Sequence, residues 1–226
     1  MRVIFNEELK AVADDLDRMV HSVRKAINGA GDALLNQNLE AAQAVIDGDI
    51  EIDALESSVI DQCVKLLAKQ NPVATDLRVV VSTLRLAATF ERMGDLARHI
   101  AEAARRTYPA SPLPKNAQPL FAEMQAFLNE TADRLVSMLS DRDTQVAEQI
   151  ILSDDKLDAL HKKTFELAQS EDWQGTNQQL IDVVLIGRFM ERLGDHAVSA
   201  ARRVVFIVSG FDPTKEPSRD EGTDID

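Results

Sequence analysis

The sequence predicts an all-α protein built as two tandem three-helix bundles, with six main helices. Three observations lead there. Apolar residues recur at spacings of three and four along most of the chain, without sustained alternation of period two, which is the helical period and not the strand period. Glycine and proline are scarce, nine and seven in 226 residues, and Pro109, Pro112, Pro114 and Pro119 all fall in one stretch, YPASPLPKNAQPL, that reads as a linker. The third observation is an internal repeat: DRMV at 17–20 matches DRLV at 133–136, Asp49 and Asp53 match Asp154 and Asp158, and ERMGD at 91–95 returns as ERLGD at 191–195. The offsets shrink from 116 to 105 to 100, as expected for two copies that differ only in helix ends and connections.

In the first copy a helix begins near Asn6, an N-cap ahead of Glu7 and Glu8, and weakens around Gly29 to Asn38. The segment GAGDALLNQN supplies the extra length of this copy. A second helix spans about Leu39 to Lys69, with a break expected near Asp47, Gly48 and Asp49, residue types that disfavour an uninterrupted helix. Asn71 and Pro72 restart the chain, and a third helix runs from about Val73 to Thr107. The second copy repeats the plan with helices over about Ala117–Leu139, Asp143–Gln169 and Thr176–Ser209. Short connections between long helices make neighbours antiparallel, so each half closes as a bundle. Residues 1–108 form the first repeat, 109–119 the linker, 120–209 the second repeat, and 210–226 a polar, aperiodic tail expected to be disordered.

Composition narrows the function. Lys and Arg number 25 against 38 Asp and Glu, a formal charge of -13, so most of the surface would repel a phosphate backbone and nucleic acid is excluded as a partner. No run of eighteen apolar residues is present, so no membrane insertion is expected. MRVIFNEELKAVADD lacks the apolar core and small-residue cleavage site of a secretory signal, and the single Cys63 sits in an apolar-periodic stretch as a buried small hydrophobe. Both features point to the cytoplasm.

The repeated acids are the candidate site. Leu86, Phe90, Met93, Ala97 and Ile100 form the core stripe of the third helix; Ile186, Phe189, Leu193, Ala197 and Ala200 form that of the sixth. Glu91 with Asp95, and Glu191 with Asp195, face away from those stripes, while Asp49 with Asp53 and Asp154 with Asp158 add i, i+4 pairs from the second and fifth helices. Each such pair costs roughly 0.2–0.5 kcal/mol through repulsion. Cations relieve it, because side-chain oxygens a helical turn apart can share or bridge metal ions. The pattern therefore suggests two equivalent acidic sites. The other reading is a solvated acidic face, neutralised locally by Arg98 and His99, which lie i+3 and i+4 from Asp95.

Gly94 and Gly194 each cost about 1 kcal/mol against Ala inside a helix, which suggests close approach of a neighbouring backbone or ligand. His21, His99, His161 and His196 make no HExxH, and only Asp158 has a His three residues on, so a di-iron oxidase built on Glu-x-x-His is poorly supported. No phosphate-cradling glycine loop, G-x-S-x-G or zinc-type Cys pair occurs, so catalysis by the chain's own side chains is not expected. LRVVVSTLRLAATF and IDVVLIGRF are apolar on nearly every face and need cover on a second side.

NPVATDLRVVVSTLRLAATFERMGDLARHI at 71–100, GRFMERLGDHAVSAARRV at 187–204 and the tandem plan between them resemble the PhoU family of bacterial phosphate-signalling regulators, over about residues 1–209. The resemblance implies a cytoplasmic, non-enzymatic accessory protein associated peripherally with membrane complexes. Its implied partners are the high-affinity phosphate ABC transporter and a sensor histidine kinase, through which it would act as a negative regulator of the phosphate-starvation response. It also implies a homodimer and multinuclear metal clusters, iron foremost with zinc, manganese or magnesium as alternatives. The family's E/D-x-x-x-D pattern matches at Asp49 with Asp53, Glu91 with Asp95, Asp154 with Asp158, and Glu191 with Asp195. Competing readings are a metal-dependent oxidase or phosphohydrolase using the same carboxylates, or a metal-free helical adaptor. The second copy departs from the first upstream of its motif, with Thr176 and Gln178 where Asp76 and Arg78 stand.

Overall fold

A computed structural model describes residues 2–210. Among these the chain forms seven helices and no strand: α1 (Arg2–Asn36), α2 (Leu39–Gln70), α3 (Ala74–Thr107), α4 (Gln118–Asp141), α5 (Thr144–Leu152), α6 (Asp154–Ala168) and α7 (Asn177–Ser209). α5 and α6 abut at the single residue Ser153 and together fill the place of one expected helix, so the plan is three and three. The expectation of a disordered tail after Gly210 lies outside the described residues.

α1, α2 and α3 pack mutually, and α4, α5/α6 and α7 form the second bundle. The bundles join where α3 lies along α7 and α1 along α4. That contact covers the second side of the two all-round apolar helices: Val80, Leu86, Val183 and Ile186 are all buried. α2 packs only on α1 and α3, leaving it, like α5/α6, an outer helix whose inner flank meets the acid-bearing helix of its bundle. Arg106 pairs with the buried Asp182, and Arg78 Nε donates to the Ile207 carbonyl at 3.3 Å, so α3 is tied to α7 near both ends. Cys63 is fully buried and its thiol pKa is pushed up to about 11 by burial, as suits an inert core residue.

Three expected helix boundaries are corrected, the first being that α1 begins at Arg2 and not near Asn6, which lies inside the helix. α1 does not weaken at Gly29 but continues to Asn36, because its glycines admit neighbours. A Cβ on Gly29 would meet Val45 Cγ2 at 2.7 Å, and one on Gly31 would overlap the Gln125 side chain. Gln125, buried, donates from Nε2 to the Ile27 carbonyl at 3.0 Å, fastening α4 to α1. Likewise α2 is unbroken through Asp47–Asp49. Gln43 Nε2 donates to Asp47 at 2.8 Å, and Asp49 is buried against Arg98, so neither aspartate competes for the helix backbone. The break comes instead in the second copy at Ser153, whose hydroxyl donates back to the Ile150 carbonyl at 3.0 Å.

The connection from α3 to α4 is packed: Pro112, Leu113 and Pro114 are buried and Gln179 Nε2 donates to the Ser111 carbonyl at 3.2 Å. α4 starts with Pro119 in its first turn, and α7 starts on a capping box between Thr176 and Gln179. That cap occupies Thr176, and Gln178 Nε2 donates to Asp182 at 3.1 Å, so the departure from Asp76 and Arg78 serves the local helix start. The core stripe of α3 is buried as expected. On α7 Phe189 is only half-buried, tilted against His99 at 5.3 Å between ring centroids, and Met190 takes the core position in register with Phe90.

Candidate metal grooves

The two motif glycines set the geometry. A Cβ on Gly94 would meet Ile52 Cδ1 at 2.9 Å and Asp49 Oδ1 at 3.2 Å; one on Gly194 would meet Leu157 Cδ2 at 2.6 Å. The outer helix therefore crosses closely over each glycine, α2 over α3 and α6 over α7. This brings the acid pair of one helix beside that of the other. Glu91 and Asp95 line the groove, with side chains 16% and 21% exposed.

In the first groove Arg98 dominates. Its Nη2 donates to Asp95 Oδ1 at 2.7 Å and Nη1 to Glu102 Oε1 at 3.0 Å, while Nε lies 2.5 Å from Asp49 Oδ2, off the hydrogen-bond line. Arg92 adds contacts to Glu91 at 3.3 Å and to Asp95 at 3.1 Å. Burial pushes the Asp95 pKa up, but hydrogen bonding and charge from Arg98 outweigh it and the net shift is downward. At Asp49 burial prevails over the attraction of Arg98, and the pKa is raised. Glu91 is pushed up to about 7 by burial and then by the charge of Asp95. Asp53, exposed, and Glu56, half-buried, complete this groove.

The second groove has the same carboxylates in different company. Oxygens of Asp154, Asp158 and Asp195 lie within 4.8 Å of one another, the sole grouping of three or more such ligand atoms among the described residues. No ion pair among the described residues joins a basic side chain to any of these three. Glu191 is held by Arg188 through Oε1, while its Oε2 is buried without a hydrogen-bond partner. The position in register with Arg98 is Val198, buried, and the position in register with Glu56 is His161, whose Nε2 is buried and unpartnered. Asp154 is raised by burial and by the charges of Asp158 and Asp195; Glu191 is raised by burial and by Asp195. His161 is lowered by burial and by Arg188, which favours a neutral imidazole.

The donor set of the second groove fits a hard or borderline cation: convergent carboxylates, an orphaned Glu191 oxygen and a neutral imidazole nearby. The first groove does not fit one, since a guanidinium already stands between Asp49 and Asp95. All eight acids singled out in the sequence fall in these grooves, four to each. Glu56 and Arg188 carry no motif signal, and His161 is marked in the sequence only by its place three residues after Asp158; the offsets of 105 and 100 between copies pair Glu56 with His161 and Arg98 with Val198.

Fold and grooves together define a helical protein with two quasi-equivalent carboxylate-lined crossings; no helix among the described residues is long and apolar enough to cross a membrane. The chain belongs to the PhoU family: the PhoU domain matches residues 16–104 and 121–204, one match per bundle. It is 36% identical over 213 residues to the phosphate-specific transport system accessory protein PhoU homolog 1 of Mycobacterium leprae (strain TN), covering 94% of this chain and 96% of that one. PhoU homolog 2 of Mycobacterium tuberculosis (strain ATCC 25618 / H37Rv) is also 36% identical over 213 residues, covering 94% and 100%. Among solved structures, PhoU from Pseudomonas aeruginosa superimposes with a TM-score of 0.86 at 26% identity, covering 92% of this chain and all of that one.

Proposed function

We propose that this protein is a cytoplasmic, non-enzymatic regulator of phosphate uptake. In this reading it couples the high-affinity phosphate ABC transporter to a sensor histidine kinase and damps the phosphate-starvation response when phosphate is plentiful. The observation that carries the reading is end-to-end similarity to proteins named as phosphate-specific transport system accessory proteins, with both motif copies at matched positions in the two bundles. An accessory protein needs contact surface. Leu77 and Val81 on α3, with Ile181 and Leu185 on α7, remain exposed and offer apolar area for a transporter, a kinase or a second copy of the chain.

Within this reading the second acidic groove binds metal, iron foremost, and the ion stiffens the crossing of outer and inner helices. The metal's part is structural charge neutralisation, for which Asp154, Asp158, Glu191 and Asp195 supply the oxygens. The regulatory claim is tested by deleting the gene and measuring phosphate-starvation transcripts in rich phosphate. Raised transcripts are expected, and unchanged repression rejects the claim. Elemental analysis of protein purified without chelator tests the metal.

A further inference from the structure

We infer that Arg98 is the built-in cation of the first groove, and that metal binding in this chain is confined to the second. The inference rests on the metal reading above and adds which groove loads and what stops the other. A divalent ion bridging α2 and α3 would draw on Asp49 and Asp95, and an oxygen of each is already in contact with one guanidinium, Asp49 Oδ2 at 2.5 Å and Asp95 Oδ1 at 2.7 Å. Arginine stays charged at every accessible pH and presents its donors in a rigid planar fork, so it answers two carboxylates from neighbouring helices at once. Its third contact, to Glu102 at 3.0 Å, holds the head in place from the next turn. Asp49 is 8% exposed, and swinging Arg98 out would leave that carboxylate to the incoming ion alone, with a positive charge still tethered one turn away.

The second groove inverts each of these features. Val198 carries no charge and is 4% exposed, so it is packing and not a counter-ion. The residue in register with Glu102 is Arg202, which makes no close ion pair with the acids among the described residues and has no acidic anchor at that turn. Asp154, Asp158 and Asp195 thus remain convergent with no ion-paired partner among the described residues, only the more distant charge of Arg202 acting on Asp154, whereas in the first copy the same crossing is closed by the protein itself. One position, three residues after the second carboxylate of the motif, decides between the two states.

The test is Mn2+ bound per chain, measured by equilibrium dialysis and elemental analysis, with circular dichroism to verify folding. Asp195→Asn should lose the bound Mn2+ of the wild type. Arg98→Val should roughly double it by opening the first groove, and the double variant should return to about the wild-type level. If Arg98→Val does not fold, Arg98→Gln removes the charge while keeping a donor, and should read the same way. Arg98→Lys, which keeps the charge, should stay at the wild-type level. Mn2+ retained by Asp195→Asn, or unchanged content in both neutral Arg98 variants, overturns the inference while the metal reading stands. A wild type that holds no metal, neither the Mn2+ offered nor any native ion found by elemental analysis before dialysis, overturns both.

Discussion

The first and second grooves share a backbone and differ in what neutralises their acids. Both are made where an outer helix crosses a glycine of E-R-hydrophobe-G-D, and both collect four carboxylates of the repeated pattern. In one, Arg98 spans Asp49, Asp95 and Glu102; in the other, Val198 stands in its place and three aspartates converge with no ion-paired partner among the described residues. A duplicated scaffold therefore need not carry a duplicated site. The helix crossing places the acids, and a single side chain one turn away decides whether the cation is supplied by the chain or from solution.

The comparison can be broken most severely at Arg98. In chelator-treated protein Arg98→Val leaves Asp49 buried without its counter-charge and should cost about 3 kcal/mol in urea unfolding, since breaking a buried pair strands the other ion. Asp154→Asn in the second groove should instead stabilise the metal-free protein, because it removes one of three mutually repelling charges.

A smaller difference should appear with pH. Glu91 titrates at about 7 in the fold against an ordinary value of 4.5, so between these values the folded protein keeps a proton that the unfolded chain has lost. Its contribution to stability is present below about pH 4.5, declines as pH rises and is gone above about 7, a change on the order of 2 kcal/mol for this largely buried group. Asp95, with its pKa lowered, contributes in the opposite sense, so the measurement is the wild-type stability curve minus that of Glu91→Gln. The difference should slope downward across this window.

The glycines sharpen the comparison further. Gly94→Ala presses on Ile52 and on Asp49, which Arg98 pins, and should destabilise by about 1 kcal/mol despite the better helix propensity of Ala. Gly194→Ala is crowded by the terminal methyl of Leu157, which can rotate, and touches Asp154 Oδ1 only at 3.9 Å, so it should be close to neutral by the same thermal scan. A small effect of opposite sign falls outside the grooves. Gly48 has open space around its missing Cβ, so Gly48→Ala should stabilise by about 0.5–1 kcal/mol.

Much of this was legible in the residue pattern. Apolar spacing and the internal repeat gave six helical segments in the right order, and the motif acids marked both grooves before any contact was known. The helix break was misplaced because Asp47, Gly48 and Asp49 look local and their fate is tertiary: Asp49 is held by a residue almost fifty positions later. Periodicity assigns Phe189 to the core, yet the contact with His99 across the bundle interface claims it and Met190 fills the interior. The inequality of the grooves was not legible from the motif, since the carboxylates of both copies sit at i, i+4. Arg98 was noted as a neighbour of Asp95, but only the crossing of α2 over α3 shows that it reaches Asp49 as well.

The most direct test of unequal grooves is an anomalous difference map from crystals of the wild-type protein soaked in Mn2+. The account predicts density among Asp154, Asp158, Glu191 and Asp195, with the Arg98 guanidinium still seated between Asp49 and Asp95. Density in both grooves, or an Arg98 side chain turned out to solvent beside a bound ion, would contradict it.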